Sequence, residues 1–216
     1  IFEFELESQF RCGGSDGYLN WIDNTLNIRR TANALWTNDK NFEFKIYPSV
    51  EELEEAIIQK NKEGNSARLT AGFCWEWSKY PESDGTLVKD VRIGNFERPW
   101  NARENLTHLR PGIPKAQYWA YDPNGIGQIG CVYTAQGFEF DYVGVIFGND
   151  LAYNPDRHIW EGRQENSYDT QVKGSSDFLQ LVKNTYRILL SRGMKGCYVY
   201  FLNKETEQFF RSRIVM

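Results

Sequence analysis

The chain alternates short runs of β-branched and aromatic residues with segments whose apolar positions recur every three to four residues, the pattern of strands interleaved with helices. Residues 1–10 alternate apolar and acidic side chains, which predicts a half-buried strand. Ser15 or Asp16 is placed to cap a helix that carries Tyr18, Leu19, Ile22 and Leu26 on one face. A short strand is predicted over 42–47. Ser49-Val-Glu-Glu52 has capping-box spacing, and Val50, Leu53 and Ile57 continue at helical period until Gly64 ends the helix. Further strands are predicted over 67–74, 128–133, 141–147 and 197–202. Ser176 or Asp177 caps a helix with the stripe Phe178, Val182, Tyr186 and Leu189, and Gly193 suits its C-terminal turn. Asn203 caps a closing helix that turns Phe210 and Ile214 inward. Periodicity fades over about 75–127 and 148–174, which predicts two irregular insertions, the first holding a β-hairpin near 88–96. Strands alternating with helices imply parallel pairing through crossovers. The expected fold is α/β, a three-layer α/β sandwich with a mostly parallel sheet, formed as a single domain over 1–216.

Residues 131–146 set a polar turn, with a glycine and an acid, between two apolar runs. Such runs suit strands buried on both faces, and in open α/β sheets ligands bind at strand ends. Thr134, Gln136 and Glu139 are therefore candidate ligand contacts. Spacing alone favours a simpler reading, a polar loop capping a short helix.

Three strings change that weighting. Thr134-Ala-Gln-Gly-Phe-Glu-Phe140 resembles motif V of superfamily 1 helicases, Asn184-Thr-Tyr-Arg-Ile-Leu-Leu-Ser-Arg-Gly193 resembles motif VI, and Leu6-Glu-Ser-Gln-Phe-Arg-Cys12 is similar to motif IV. Over almost the whole chain the likeness is to the Schlafen group 3 DNA/RNA helicase-domain family. It is carried most specifically by residues 9–18, by Pro99-Trp-Asn101 and by Ser191-Arg-Gly-Met-Lys-Gly-Cys-Tyr198. The resemblance implies a RecA-like domain of the P-loop NTPase superfamily, the second of a pair, in an ATP-dependent DNA/RNA helicase or a nucleic-acid-stimulated ATPase. It implies that Arg192, as an arginine finger, and Arg11 contact the γ-phosphate. Glu139 would accept a hydrogen bond from the ribose, with Gly137 and Gln9 completing the nucleotide contacts. Thr134 and Gln136 would lie near nucleic-acid phosphates. Many relatives carry Lys at the position of Gln136, so electrostatic attraction there is reduced.

A phosphate-binding loop needs Gly-x-x-x-x-Gly-Lys-Ser/Thr to hold phosphates and Mg²⁺. No such string occurs: Gly13-Gly14 and Gly17 lack the Lys-Ser/Thr ending, and Lys173-Gly-Ser-Ser176 lacks the preceding glycine. An Asp-Glu pair for Walker B is also absent. The chain starts at Ile1, immediately before motif IV, so it is expected to be the C-terminal half of a longer protein. ATP and Mg²⁺ would then be bound mainly by an N-terminal RecA-like domain of the same protein. This half alone would hold no cofactor, hydrolyse no ATP and hold no metal ion.

Composition narrows the partners. A net charge of −4 gives no basic footprint, so binding of DNA or RNA by this half alone should be weak. Cys12, Cys74, Cys131 and Cys197 lack metal-ligand spacing and are expected to be free thiols in a reducing compartment, which points to a cytoplasmic location. No apolar run reaches the ~20 residues of a membrane span, so no membrane partner is expected. Trp75, Trp77, Trp100 and Trp119 crowd the first insertion, where packing is the favoured use and base stacking the second. Two other functions compete with the helicase reading. One is a non-catalytic module that binds nucleic acid or protein on the same fold. The other is a nuclease centred on the 148–174 insertion, with Asp156-Arg157-His158 as part of its site, disfavoured because the chain has two histidines and neither is at ligand spacing.

Overall fold

The computed structural model describes residues 16–38 and 42–215. The strand predicted over 1–10, with Gln9, Arg11 and Cys12, lies outside the described residues. In chain order the first half forms α1 (Asp16–Thr25), β1 (Glu43–Ile46), α2 (Val50–Lys62), β2 (Ala67–Ala71), β3 (Val91–Ile93), β4 (Phe96–Arg98) and β5 (Ile129–Gly130). The second half forms α3 (Val132–Ala135), β6 (Phe140–Phe147), β7 (Leu151–Asn154), β8 (Ile159–Gly162), α4 (Phe178–Leu190), β9 (Gly193–Phe201) and α5 (Lys204–Arg211). Five strands make one sheet in the order β1-β9-β6-β2-β5, and every pairing in it is parallel. β3–β4 and β7–β8 are separate antiparallel hairpins.

Alternation along the central strands divides the core into two layers. Val143, Val145 and Phe147 of β6, with Cys197, Val199 and Phe201 of β9, pack with Trp21, Tyr186, Leu189 and Phe210 from α1, α4 and α5. Ile146 and Tyr198 point to the other face and join Leu53 and Ile57 of α2 and Val91 and Phe96 of the first hairpin. The result is the expected sheet between helical layers. Two buried polar tips are tied across the core: Tyr18 Oη donates to the Leu190 carbonyl at 3.0 Å, and Trp160 Nε1 donates to that of Thr25 at 2.9 Å. Between α1 and α4, the Arg187 guanidinium pairs with the buried carboxylate of Asp23.

Helix starts follow the sequence signals, with one exception. Ser49 Oγ accepts the Glu52 N–H at 3.2 Å, and Asn203 Oδ1 accepts that of Thr206 at 2.8 Å. Asp177 occupies the N-cap of α4, but its side chain makes no capping bond; its own N–H donates to Ser175 Oγ.

Four expectations are corrected. The strand predicted over 128–133 is two residues long, because the chain turns into α3 at Val132. The strand predicted over 67–74 stops at Ala71. Gly193 is not a helix-terminal turn residue but the first residue of β9, and Ser191 caps α4. A bulge between Gly193 and Gly196 presses the strand on itself, so that a Cβ at Gly193 would lie 2.1 Å from the Gly196 carbonyl oxygen. Ile214 lies beyond the end of α5, where main-chain bonds tie residues 213 and 215 to Trp36. The first hairpin forms at 91–98, and the stretch 148–174 holds a second, β7–β8, that periodicity did not reveal.

Candidate functional site

Because all five strands are parallel, their starts share one edge of the sheet and their ends share the other. The predicted site residues divide between these edges. At the edge of strand starts, Gly137 and Glu139 are exposed just before β6; Gln136, also exposed, caps the end of α3. Gly137 has φ +95°, a left-handed conformation that lets the chain reverse between α3 and β6. Arg192 immediately precedes β9 and is 4% exposed. Its Nε donates to the Ile188 carbonyl at 3.1 Å and its Nη1 reaches that of Phe138 at 3.5 Å, while its own carbonyl accepts the Phe140 N–H at 2.9 Å. The two segments that resemble motifs V and VI are thus joined directly, with the arginine one residue from Glu139.

Beside Glu139 a cavity of about 260 Å³ is lined by Ser66, Arg68, Tyr121 and Phe138. Arg68, 2% exposed, donates to the carbonyls of Ala67, Trp119 and Asp122 at 2.8, 3.1 and 2.8 Å, which fastens the first insertion to β2. Burial lowers its pKa, against the opposing charge of Asp122. Asp141 nearby accepts from Ser66 N and pairs with Lys195, both at 2.9 Å. Burial acts to raise its carboxyl, but the Lys195 and Ser66 hydrogen bonds outweigh it and the pKa falls.

Thr134 belongs to the opposite edge. Its hydroxyl donates to Asn101 Oδ1 at 2.9 Å and accepts the Cys131 N–H at 3.0 Å. It lines a groove of about 510 Å³ built from both insertions, with Phe73, Trp77, Tyr133 and Tyr168 among the walls. The ten residues from Cys131 to Phe140 therefore run from one edge of the sheet to the other, with α3 between. The short helix that spacing alone favoured is present, and it separates Thr134 from Glu139.

Several participants escaped the sequence reading. Asn101 Nδ2 and its backbone close the site: its N–H bonds the Ile129 carbonyl at 2.8 Å, so the Pro99-Trp-Asn101 string borders β5. Asp150, Tyr186 and Cys74 form a buried cluster at the ends of β6 and β2. Tyr186 Oη donates to Asp150 and accepts the Gly148 N–H at 2.9 Å. Burial pushes Asp150 upward although hydrogen bonds from Tyr186 and Cys74 pull it back, and burial next to Asp150 pushes both Cys74 and Tyr186 up. A Cβ at Gly72 would lie 2.0 Å from Tyr186 Oη, so the strand-end glycine leaves the room that this hydroxyl fills. Only a Gly at that point in the sequence could have signalled it.

Of the four insertion tryptophans, Trp100 and Trp119 are fully buried, Trp75 Nε1 bonds the Arg92 carbonyl, and Trp77 reaches the groove. Asp156 and His158 lie in the turn between β7 and β8, with His158 Nδ1 3.5 Å from Tyr153 Oη. Among the described residues no three His, Cys, Asp or Glu gather as metal ligands, and no helix is long and apolar enough to cross a membrane. Cys74, Cys131 and Cys197 are free thiols.

Comparison with known proteins adds two findings. A family model described as "Schlafen group 3, DNA/RNA helicase domain" matches residues 2–203. An uncharacterized protein of Saccharomyces cerevisiae is 26% identical over 227 residues, covering 95% of this chain. The chain spans about half, 47%, of that relative's length.

Proposed function

Since the chain belongs to the Schlafen group 3, DNA/RNA helicase domain family, we propose that it is the second RecA-like domain of an ATP-dependent DNA or RNA helicase, or of an ATPase built on that plan. ATP and Mg²⁺ would be held mainly by a preceding RecA-like domain, since no Gly-x-x-x-x-Gly-Lys-Ser/Thr string occurs in these 216 residues. Arg192, with Arg11, would supply positive charge to the γ-phosphate, Glu139 would take the ribose hydroxyl with Gly137 and Gln9 alongside, and Thr134 and Gln136 would meet the nucleic-acid backbone.

The observation that most supports this reading is the path of residues 131–140. One segment puts Thr134 on the groove at the strand ends and Glu139 beside Arg192 at the strand starts. A contact at one edge can thereby shift the other. In this state the partners of Arg192 include two backbone carbonyls, which are weaker acceptors than phosphate oxygens. A triphosphate brought up by domain closure would displace them.

The same placement favours a second reading. An arginine 4% exposed and bonded to the last turn of α4 is also what a non-catalytic module on this fold would keep for stability. ATP turnover by the full-length protein, with and without single-stranded DNA or RNA, distinguishes the two. The helicase reading expects stimulated turnover that Glu139→Gln weakens and Arg192→Lys nearly abolishes. Turnover absent from pure, folded protein, or insensitive to both changes, would establish the non-catalytic module.

A further inference from the structure

We propose that the groove at the strand ends takes one unstacked base of a single-stranded nucleic acid, held on aromatic rings of α3 and the second insertion. The inference rests on the nucleic-acid part of the proposed function, because Thr134 of motif V forms part of the same wall.

At about 510 Å³ the groove falls within the ~300–1,000 Å³ typical of small-ligand sites. Its rings are fixed in place. Phe73 stacks on the buried Trp100 with centroids 5.7 Å apart and planes at 18°, and meets Tyr133 edge-on at 6.5 Å. Tyr133 Oη donates to Asp169 at 2.7 Å, and the other Asp169 oxygen accepts the Gln171 N–H at 3.0 Å. The Tyr168 N–H bonds the Phe73 carbonyl at 2.8 Å, which pins the second insertion to the end of β2. Arg103 clasps Trp77, donating to its carbonyl at 2.8 Å with the guanidinium 5.3 Å from the ring centre. A site held this way has its ordering cost met by folding before any ligand arrives.

Two rings of the groove keep much of their surface open: Tyr168 is 52% exposed, with the Lys173 ammonium 5.9 Å from its ring centre, and Tyr133 is 43% exposed. Both are on a wall where a flat ligand finds a ring face. The charges alongside, Arg103 and Lys173 against Glu104 and Asp169, cancel and do not amount to a phosphate track. A neutral planar group is the chemistry they suit, and a nucleobase is planar, polar at its edge and stackable on either face.

The test compares two labelled strands of equal length, one ordinary single-stranded DNA and one made of abasic residues, by fluorescence anisotropy with the full-length protein. The parent is expected to prefer the strand with bases. Tyr168→Ala should weaken that strand about five- to 150-fold, the range for a stacked base, and leave the abasic strand unchanged. Tyr168→Phe should keep most of the affinity, because the ring does the stacking. Equal loss on both strands, or no loss on either, would overturn the base pocket while leaving the helicase reading standing. If the parent binds neither DNA strand nor the corresponding RNA, the nucleic-acid part of the proposed function falls, and this inference with it.

Discussion

Replacing Arg192 by alanine removes two things that can be measured apart. The first is structural: a buried guanidinium bonded to the Ile188 and Phe138 carbonyls at 3.1 and 3.5 Å. Charge-assisted bonds lost from a buried site cost ~1–3 kcal/mol each, and the longer one is at the limit of bonding, so a folding penalty of about 2–4 kcal/mol is expected. The second is the proposed catalytic role: an arginine finger contributes ~10³–10⁵ in rate, or ~4–7 kcal/mol of transition-state stabilisation. A stability of ~5–15 kcal/mol would leave most molecules folded, so turnover can be measured well below the melting temperature. Urea unfolding of the variant should show the smaller loss, and steady-state ATPase of the full-length protein should show a thousandfold or greater fall in kcat with nucleotide affinity little changed. Arg192→Lys should recover part of the stability, since an ammonium can meet one carbonyl. It should recover little of the rate, since it lacks the planar fork. A folded Arg192→Ala variant within tenfold of parental kcat would refute the finger and leave Arg192 as the residue that closes the last turn of α4.

Three further outcomes follow from the buried groups. Tyr186→Phe strands the Gly148 N–H and one side of Asp150, and should cost about 2–5 kcal/mol by urea unfolding. Because the folded-state pKa of Asp150 is raised, its favourable contribution is present below the ordinary carboxylate range and lost as pH rises through the raised value. Removing a hydrogen bond that holds that value down should make the variant's deficit larger at about pH 8 than at about pH 5, and an equal deficit at both would contradict the assignment. For Asp141 the sign is opposite: its pKa is depressed, so the stability it gives is present above the ordinary range and lost as pH falls through the lowered value. Lys195→Met should therefore be slightly destabilising at neutral pH, within ~1 kcal/mol for so exposed a pair, and its deficit should shrink as pH falls below the ordinary carboxylate range in acid-unfolding curves. Gly193→Ala would force a methyl against the Gly196 carbonyl and should cost about 3 kcal/mol in thermal or urea melts; a neutral effect would mean the bulge yields easily.

The parts of the fold that were legible are those where a local signal and the core agree. Val50, Leu53 and Ile57 repeat at helical spacing behind Ser49, and all three are buried. β6 and β9 read as strands because β-branched and aromatic residues there meet core on both faces. The second hairpin was missed because its strands are four residues each, too short for periodicity, although Asn154-Pro-Asp156 is a turn signal that could have exposed it. Arg68 was invisible for a different reason: a charged residue in an apolar strand looks like an edge position until its three carbonyl partners, two of them more than fifty residues away, are in place. Resemblance nominated Thr134, Glu139 and Arg192 for the candidate site but did not show the separation of the first from the other two. Asn101, Asp150 and Tyr186 owe their roles to contacts across 33 or more residues, which no spacing rule encodes.

The strand order has a consequence for how this protein is made. β1 lies at the sheet edge and pairs with β9, Phe44 standing opposite Cys197, although the two are separated by most of the chain. At the ~5–20 residues per second of synthesis, about 150 residues of delay leaves β1 without its neighbour for on the order of 10 s. During that interval Phe42, Phe44, Tyr18 and Trp21, all destined for one core, have neither β9 nor α5 to cover them. A nascent chain halted shortly before β9 should therefore recruit holding chaperones, and emergence of β9 and α5 should be the event that lets it go.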